Sequence, residues 1–158
     1  MIPMDLTKIK DHLKAQNLDV EYQQETDQLV VIFKISEREF PLFIRIYQGG
    51  ELLQLLAFIP CNTKEETLND TARLLHLLNK EIDIPGFGMD ETSFVVFYRC
   101  LVPTQDQQIA PTILDAYVNA IQVVCKTFSS VIAAVAVGAV TFDEVLKKTK
   151  EQANNPTT

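Results

Sequence analysis

Pro85-Gly86-Phe87-Gly88-Met89-Asp90-Glu91-Thr92-Ser93-Phe94-Val95-Val96-Phe97-Tyr98-Arg99-Cys100-Leu101-Val102-Pro103 is the stretch on which the fold turns. Its glycines and proline make a turn. Behind them Phe94 to Tyr98 are β-branched or aromatic with no polar break, the composition of a strand. A run without alternation predicts a strand inside the sheet, covered on both faces, over Ser93 to Val102 and stopped by Pro103. Helical patterns flank this strand on both sides, so helices and sheet share the chain.

Upstream, Thr63 with Glu66 three residues on reads as a capping box. Leu68, Ala72, Leu75 and Leu78 then recur at helical spacing and predict a helix over Lys64 to Lys80, with Leu74 and Leu77 widening a stripe that lies on the sheet. Before it come four strands. Leu18, Val20 and Tyr22 alternate, Glu25-Thr26-Asp27 turns, and Leu29 to Ile35 is apolar at nearly every position. Ser36 to Glu39 turns again, and Phe40, Leu42, Ile44 and Ile46 alternate with Pro41, Phe43, Arg45 and Tyr47. Gly49-Gly50 is a two-residue hairpin signal before Leu52 to Ile59. The N-terminus holds a helix over Leu6 to Gln16, with Asp5 as its cap and Asn17 at its end.

Downstream, Thr104 to Gln108 is a polar loop. Pro111 opens the longest helix, carrying Ile113, Leu114, Tyr117, Val118, Ile121, Val124, Cys125 and Phe128 and ending at Gly138. Thr141 with Glu144 forms a second capping box before a short charged helix, and Asn154 to Thr158 is read as a frayed tail. The prediction is one α+β domain, an antiparallel meander packed by helices, in the order α-β-β-β-β-α-β(β)-α-α.

The 158 residues suffice for one core without staples, and a hydrophobic content of 47% with 22% charged residues excludes disorder. A net charge of -7 and a pI near 4.8 oppose nucleic-acid binding, which needs a basic face; the densest cation run is Lys147-Lys148-Thr149-Lys150. The N-terminus lacks a basic region followed by an apolar core, so no signal peptide is read and the expected location is the cytoplasm. Phe128 to Val140 is apolar but too short to span a bilayer and reads as a buried helix end, which predicts no membrane insertion. Cys61, Cys100 and Cys125 are odd in number, at spacings unlike zinc or redox pairs, and read as core thiols in a reducing compartment.

A nucleophilic enzyme needs a serine or cysteine with a histidine in reach. His12 and His76 each sit midway along a predicted helix, without a second ligand at i+3 or i+4, so neither a dyad nor a metal site is read. Glu65-Glu66 serves a helix start and Asp90-Glu91 a turn. Gly86 and Gly88 could suggest a phosphate loop, but a third glycine and a following helix are missing. No catalytic residue, cofactor or metal is assigned. Phe43, Arg45 and Tyr47 share one strand face. An arginine there serves a structural ion pair across the sheet or, beside aromatic residues, a protein partner. Arg99 poses the same choice.

The element order, with Asn79-Lys80 closing one helix, the Gly-Phe turn and the strand ending Val96-Phe97-Tyr98-Arg99, resembles the YbjN-like proteins over Met4 to Ile132. That resemblance implies the fold of type III secretion chaperones, usually dimeric and without catalytic activity, binding other polypeptides or acting in regulation. The final charged helix from Thr141 is an addition to the pattern. Three readings follow. The first is a non-catalytic, chaperone-like or regulatory interaction module, homodimeric, gripping an unidentified protein partner through Phe43, Arg45 and Tyr47. The second is an enzyme or sensor with a pocket between the long helix and the sheet, where Tyr98, Arg99 or Tyr117 would meet an anionic ligand. The third is a structural subunit whose surplus apolar surface is covered by oligomerisation.

Overall fold

Asp5 caps the first helix as its residue type dictates, its carboxylate accepting the Thr7 and Lys8 N–H groups at 2.8 and 3.2 Å, and Asn17 follows the helix at φ 63°. The structure is a computed structural model in which residues 1–154 are described. In chain order it contains β1 (Ile2–Pro3), α1 (Leu6–Ala15), β2 (Asp19–Gln23), β3 (Gln28–Ile35), β4 (Arg38–Tyr47) and β5 (Leu52–Ile59). There follow α2 (Leu68–Glu81), β6 (Phe87–Met89), β7 (Val96–Pro103), β8 (Gln108–Ile109), α3 (Pro111–Ala136) and α4 (Phe142–Asn154). The chain forms two compact units, Met1–Ile59 with Phe97–Thr127 and Pro60–Val96 with Phe128–Thr158. Asn154 closes α4, so helix reaches into the expected tail; 155–158 lie outside the described residues.

In the first unit the strands lie in the order β2-β3-β4-β5-β7. The β2–β3, β3–β4 and β4–β5 pairs are all antiparallel, as short turns require. Two turns differ from expectation. Between β3 and β4 only Ser36 and Glu37 turn, at φ 51° and 66°, so Arg38 and Glu39 belong to the strand; two successive left-handed residues match the twist of a hairpin. Between β4 and β5, Gln48 joins Gly49 and Gly50 at positive φ, making a longer loop than a two-residue hairpin. Pro41 is tolerated inside β4 because it opposes Ile32, while the ladder to β5 begins at Leu42. β1 and β8, absent from the sequence reading, form a separate two-stranded ladder.

Inward positions of these strands are closed off almost completely: Leu29, Val31, Leu42, Ile44, Leu53 and Leu55 have no exposed surface. Ile9 and Leu13 of α1 and Leu114, Val118 and Ile121 of α3 are buried in the same unit. β7 departs from the reading of Ser93 to Val102. Phe94 takes φ 61° and Val95 precedes the strand, so the ladder starts at Val96. From there burial alternates, with Val96, Tyr98, Cys100 and Val102 inside while Arg99 and Leu101 are exposed. The strand is covered on one face, not two. Its uninterrupted apolar sequence supplies a second apolar face that no neighbouring element buries.

In the second unit α2 begins one turn later than Thr63 and Glu66 predict. Thr67 precedes the helix without a side-chain bond to it; its hydroxyl accepts the Lys64 N–H at 3.0 Å, closing the short Glu65–Thr67 turn, and donates to the Ala136 carbonyl at 2.6 Å. Asn79, near the end of α2, fixes the turn that follows: its side chain accepts the Gly86 and Phe87 N–H groups at 3.1 and 2.9 Å and donates to the Phe87 carbonyl at 3.0 Å. Gly138 ends α3 at φ 84° as predicted, and the Thr141–Glu144 capping box forms in both directions at 3.3 and 3.2 Å. The run from Phe128 to Val140 falls largely within α3, whose 26 residues are, by length and composition, enough to cross a membrane. Buried residues at 114, 118, 121, 125, 129, 132 and 136 trace the stripe of an amphipathic core helix along it.

Candidate interaction face

Because side chains alternate across a strand, the residues interleaved with the buried ones come out together on the other side of the first unit's sheet. Phe43, Arg45 and Tyr47 of β4 lie there, with Leu52, Gln54, Leu56 and Phe58 of β5 and Phe97, Arg99 and Leu101 of β7. All but Arg99 and Leu101 are half-buried, and Leu101 is 50% exposed. The surface is aromatic and aliphatic with two arginines, a composition enriched at protein interfaces. Phe43 meets Phe58 edge to face at a centroid distance of 5.4 Å, so the centre of the face is ordered.

Arg45 is held but not satisfied. Its Nη1 donates to the Tyr47 hydroxyl at 3.4 Å, its Nη2 to the Thr26 carbonyl at 3.2 Å, and the guanidinium lies 5.9 Å from the Tyr47 ring centre. Nε is shielded and has no acceptor among the described residues, although a shielded donor without a partner costs about 1–3 kcal/mol. Among the described residues no carboxylate pairs with Arg45, so the structural ion pair considered from sequence does not account for it. Arg99 has its guanidinium 6.0 Å from the Phe97 ring centre.

The residues grouped for an anionic ligand do not converge. Tyr98 is fully buried on the inward side of β7, Arg99 emerges on the outward side one residue later, and Tyr117 is half-buried on α3. Burial pushes the Tyr98 hydroxyl up and the Cys125 thiol up to about 12, so both remain neutral core groups at physiological pH. Cys100 is raised by burial too, and all three cysteines are free. Among the described residues no cluster of three or more histidine, cysteine or acidic side chains is placed to hold a metal ion.

Two features were beyond the sequence reading. His12 Nε2 lies 2.7 Å from Asp115 Oδ1, tying α1 to α3 across 103 positions of sequence that no spacing rule spans. On the second unit, Ala72, Arg73, His76, Leu77 and Lys80 of α2 line a shallow groove of about 430 Å³ with Phe142 and Leu146 of α4. Arg73 stacks on Phe142 at 4.2 Å, and Asp70 accepts the Phe142 N–H at 3.0 Å. The i, i+3, i+7 spacing of Arg73, His76 and Lys80 was the available signal for its basic rim.

Helices and an antiparallel meander together define an α+β fold. Residues 5–134 match the profile of the YbjN family, described as "Putative bacterial sensory transduction regulator", and the chain belongs to that family. A solved structure, that of YbjN from E. coli, described as "a putative transcription regulator", superposes with a TM-score of 0.57 at 9% identity, covering 88% of this chain and 94% of that one. At that identity the likeness is one of fold. No curated protein matches the chain. α4 lies wholly beyond the matched residues.

Proposed function

We propose that this chain is a non-catalytic regulatory module of the YbjN family, acting in the cytoplasm by binding polypeptide through the outer face of the first unit's sheet, centred on Phe43. The observation that carries this reading is the half-buried apolar face itself. Phe43, Leu56, Phe58 and Phe97 spread over neighbouring strands and keep part of their apolar surface exposed, in a chain with ample charge elsewhere to solubilise its surface. The Arg45 Nε donor, lacking an acceptor within the chain, supports it further, since an arginine amid aromatics is the common anchor of such a site. The family's description as a regulator agrees with a role in association rather than chemistry.

The anionic-ligand reading has less behind it, because Tyr98 and Arg99 leave β7 in opposite directions. The test is the solution mass by light scattering of the wild type beside Phe43→Asp and Tyr47→Asp, with circular dichroism to verify folding. The expected result is an associated wild type and folded, monomeric variants. Folded variants that associate like the wild type would remove the face from the proposal.

A further inference from the structure

The two sides of α2 are built differently. Thr71, Leu74, Leu75 and Leu78 are buried, whereas Ala72, Arg73, His76 and Lys80 are exposed and Leu77 is half-buried. The second set recurs at i, i+1, i+4, i+5 and i+8, which is one side of a helix. Within the second unit α4 lies against that side. The Phe142 N–H donates to the Asp70 carboxylate at 3.0 Å, and the buried Phe142 ring carries the Arg73 guanidinium at 4.2 Å, so α4 is fixed to α2 at its start. Beyond this anchor the helices leave the groove of about 430 Å³. Phe142, Leu77 and Leu146 are its buried and half-buried apolar lining, and Arg73, His76 and Lys80 are its exposed rim.

The charge of this groove runs against that of the chain. Among the described residues that line it none is acidic, in a chain with 21 acidic and 14 basic residues. Past Leu146 the sequence enters Lys147 and Lys148, and Lys150 stands one turn beyond Leu146 on the same side of α4. Two carboxylates are near. Asp143 lies 3.8 Å from Arg73 and Glu81 3.8 Å from Lys80, but all four side chains are more than half exposed, so these pairs are weak in water and exchange readily for other partners. Asp70 is engaged by the Phe142 N–H and Glu144 by the Thr141 N–H.

An occupant must therefore bring an apolar row to the lining and carboxylates to the rim. A nucleic acid has the charge without the apolar row, and the net charge of -7 repels it. A bilayer surface takes up protruding apolar side chains, and here Phe142, Leu77 and Leu146 are recessed. A groove between two helices suits a third. We infer that the α2–α4 groove docks an acidic amphipathic helix of another protein, its apolar i, i+3, i+4 and i+7 row on Leu77, Phe142 and Leu146 and its carboxylates on Arg73, Lys80 and the lysines of α4. This site is separate from the sheet face of the first unit and stands whether or not that face binds. Its α4 wall lies beyond residues 5–134, the part matched to the family.

The test uses the full chain and a labelled synthetic helix with leucine at i, i+3, i+4 and i+7 and glutamate between, read by fluorescence anisotropy and by amide chemical-shift mapping. Two control peptides carry lysine in place of glutamate, or the same composition with the leucines scattered. The acidic helix is expected to bind in the micromolar range, with shifts gathered on residues 72–80 and 142–150. Arg73→Glu and Lys80→Glu, both at exposed positions where folding is undisturbed, should each weaken binding about tenfold. Phe43→Asp should bind like the wild type. The proposal is overturned by no binding up to about 1 mM, by equal binding of either control peptide, or by charge variants that bind like the wild type. Shifts on β4 and β5 that Phe43→Asp abolishes would move the peptide to the sheet face, sparing the function proposed above and refuting the groove. Cosedimentation with phosphatidylserine vesicles that Lys80→Glu abolishes, without binding of the acidic helix, would assign the groove to lipid instead.

Discussion

On β4 the residues Phe40, Leu42 and Ile44 are buried, while Pro41, Phe43, Arg45 and Tyr47, each one step away, stay half-buried. Both sets are largely apolar. What separates them is which side of the pleat faces the core of the first unit. On the inward side α1 and α3 supply buried partners and the core closes at full density; on the outward side the same chemistry stops at neighbouring strands. An unbroken apolar run along a strand therefore does not establish that the chain buries both of its faces equally.

The contrast can be broken most severely from the inside. Leu55→Ala removes a side chain with no exposed surface, and is expected to lower unfolding free energy by about 3–4 kcal/mol in urea titrations. A loss below 1 kcal/mol would mean that the inward face is looser than its burial indicates. The next effect is alkaline. Cys125, Cys100 and Tyr98 are inward groups raised by burial, so the folded chain holds their protons more tightly than the unfolded one. Their contribution is complete below the unfolded thiol value near 9.0 and is lost as pH rises toward 12. Between pH 8 and pH 10.5 the unfolding free energy should fall, with Cys125 contributing on the order of 2 kcal/mol, and Cys125→Ala should make the fall shallower. A flat profile would place these groups in contact with water. The smallest effect belongs to the outer face. Leu101→Thr, at a half-exposed position, should change monomer stability by no more than about 0.5 kcal/mol, measured under conditions where the chain does not associate.

Much of this architecture was legible because it is local. Asp5, Asn17, Gly138 and the Thr141–Glu144 pair each act within one turn of the chain, and each does what its residue type predicts. The grouping of Phe43, Arg45 and Tyr47 on one face also followed from a period of two. Illegible features depended on distant partners. Thr63 carries a suitable cap signature, yet a separate short turn follows it and α2 starts after Thr67, whose hydroxyl reaches the Ala136 carbonyl, 69 residues away. Phe94 has strand composition but sits at positive φ, where its N–H donates to the Asp90 carbonyl at 2.7 Å in a turn held by the Asp90 side chain. The pairing of β1 with β8 and the His12–Asp115 contact join the two ends of the first unit's sequence, which no window of neighbouring residues contains.

β2 lies at the rim of the strand order, so one side of its backbone carries amide and carbonyl groups that no strand of the sheet uses. Such a rim is a template on which further strands can add, and an apolar sheet beside it would favour growth into fibrils. Asp19 and Glu21 are exposed on that rim strand. Two rims approaching edge to edge bring acid against acid, which penalises lateral growth while leaving the flat of the sheet open. A chain built this way can carry a partly exposed apolar face and still resist growth along its sheet edge.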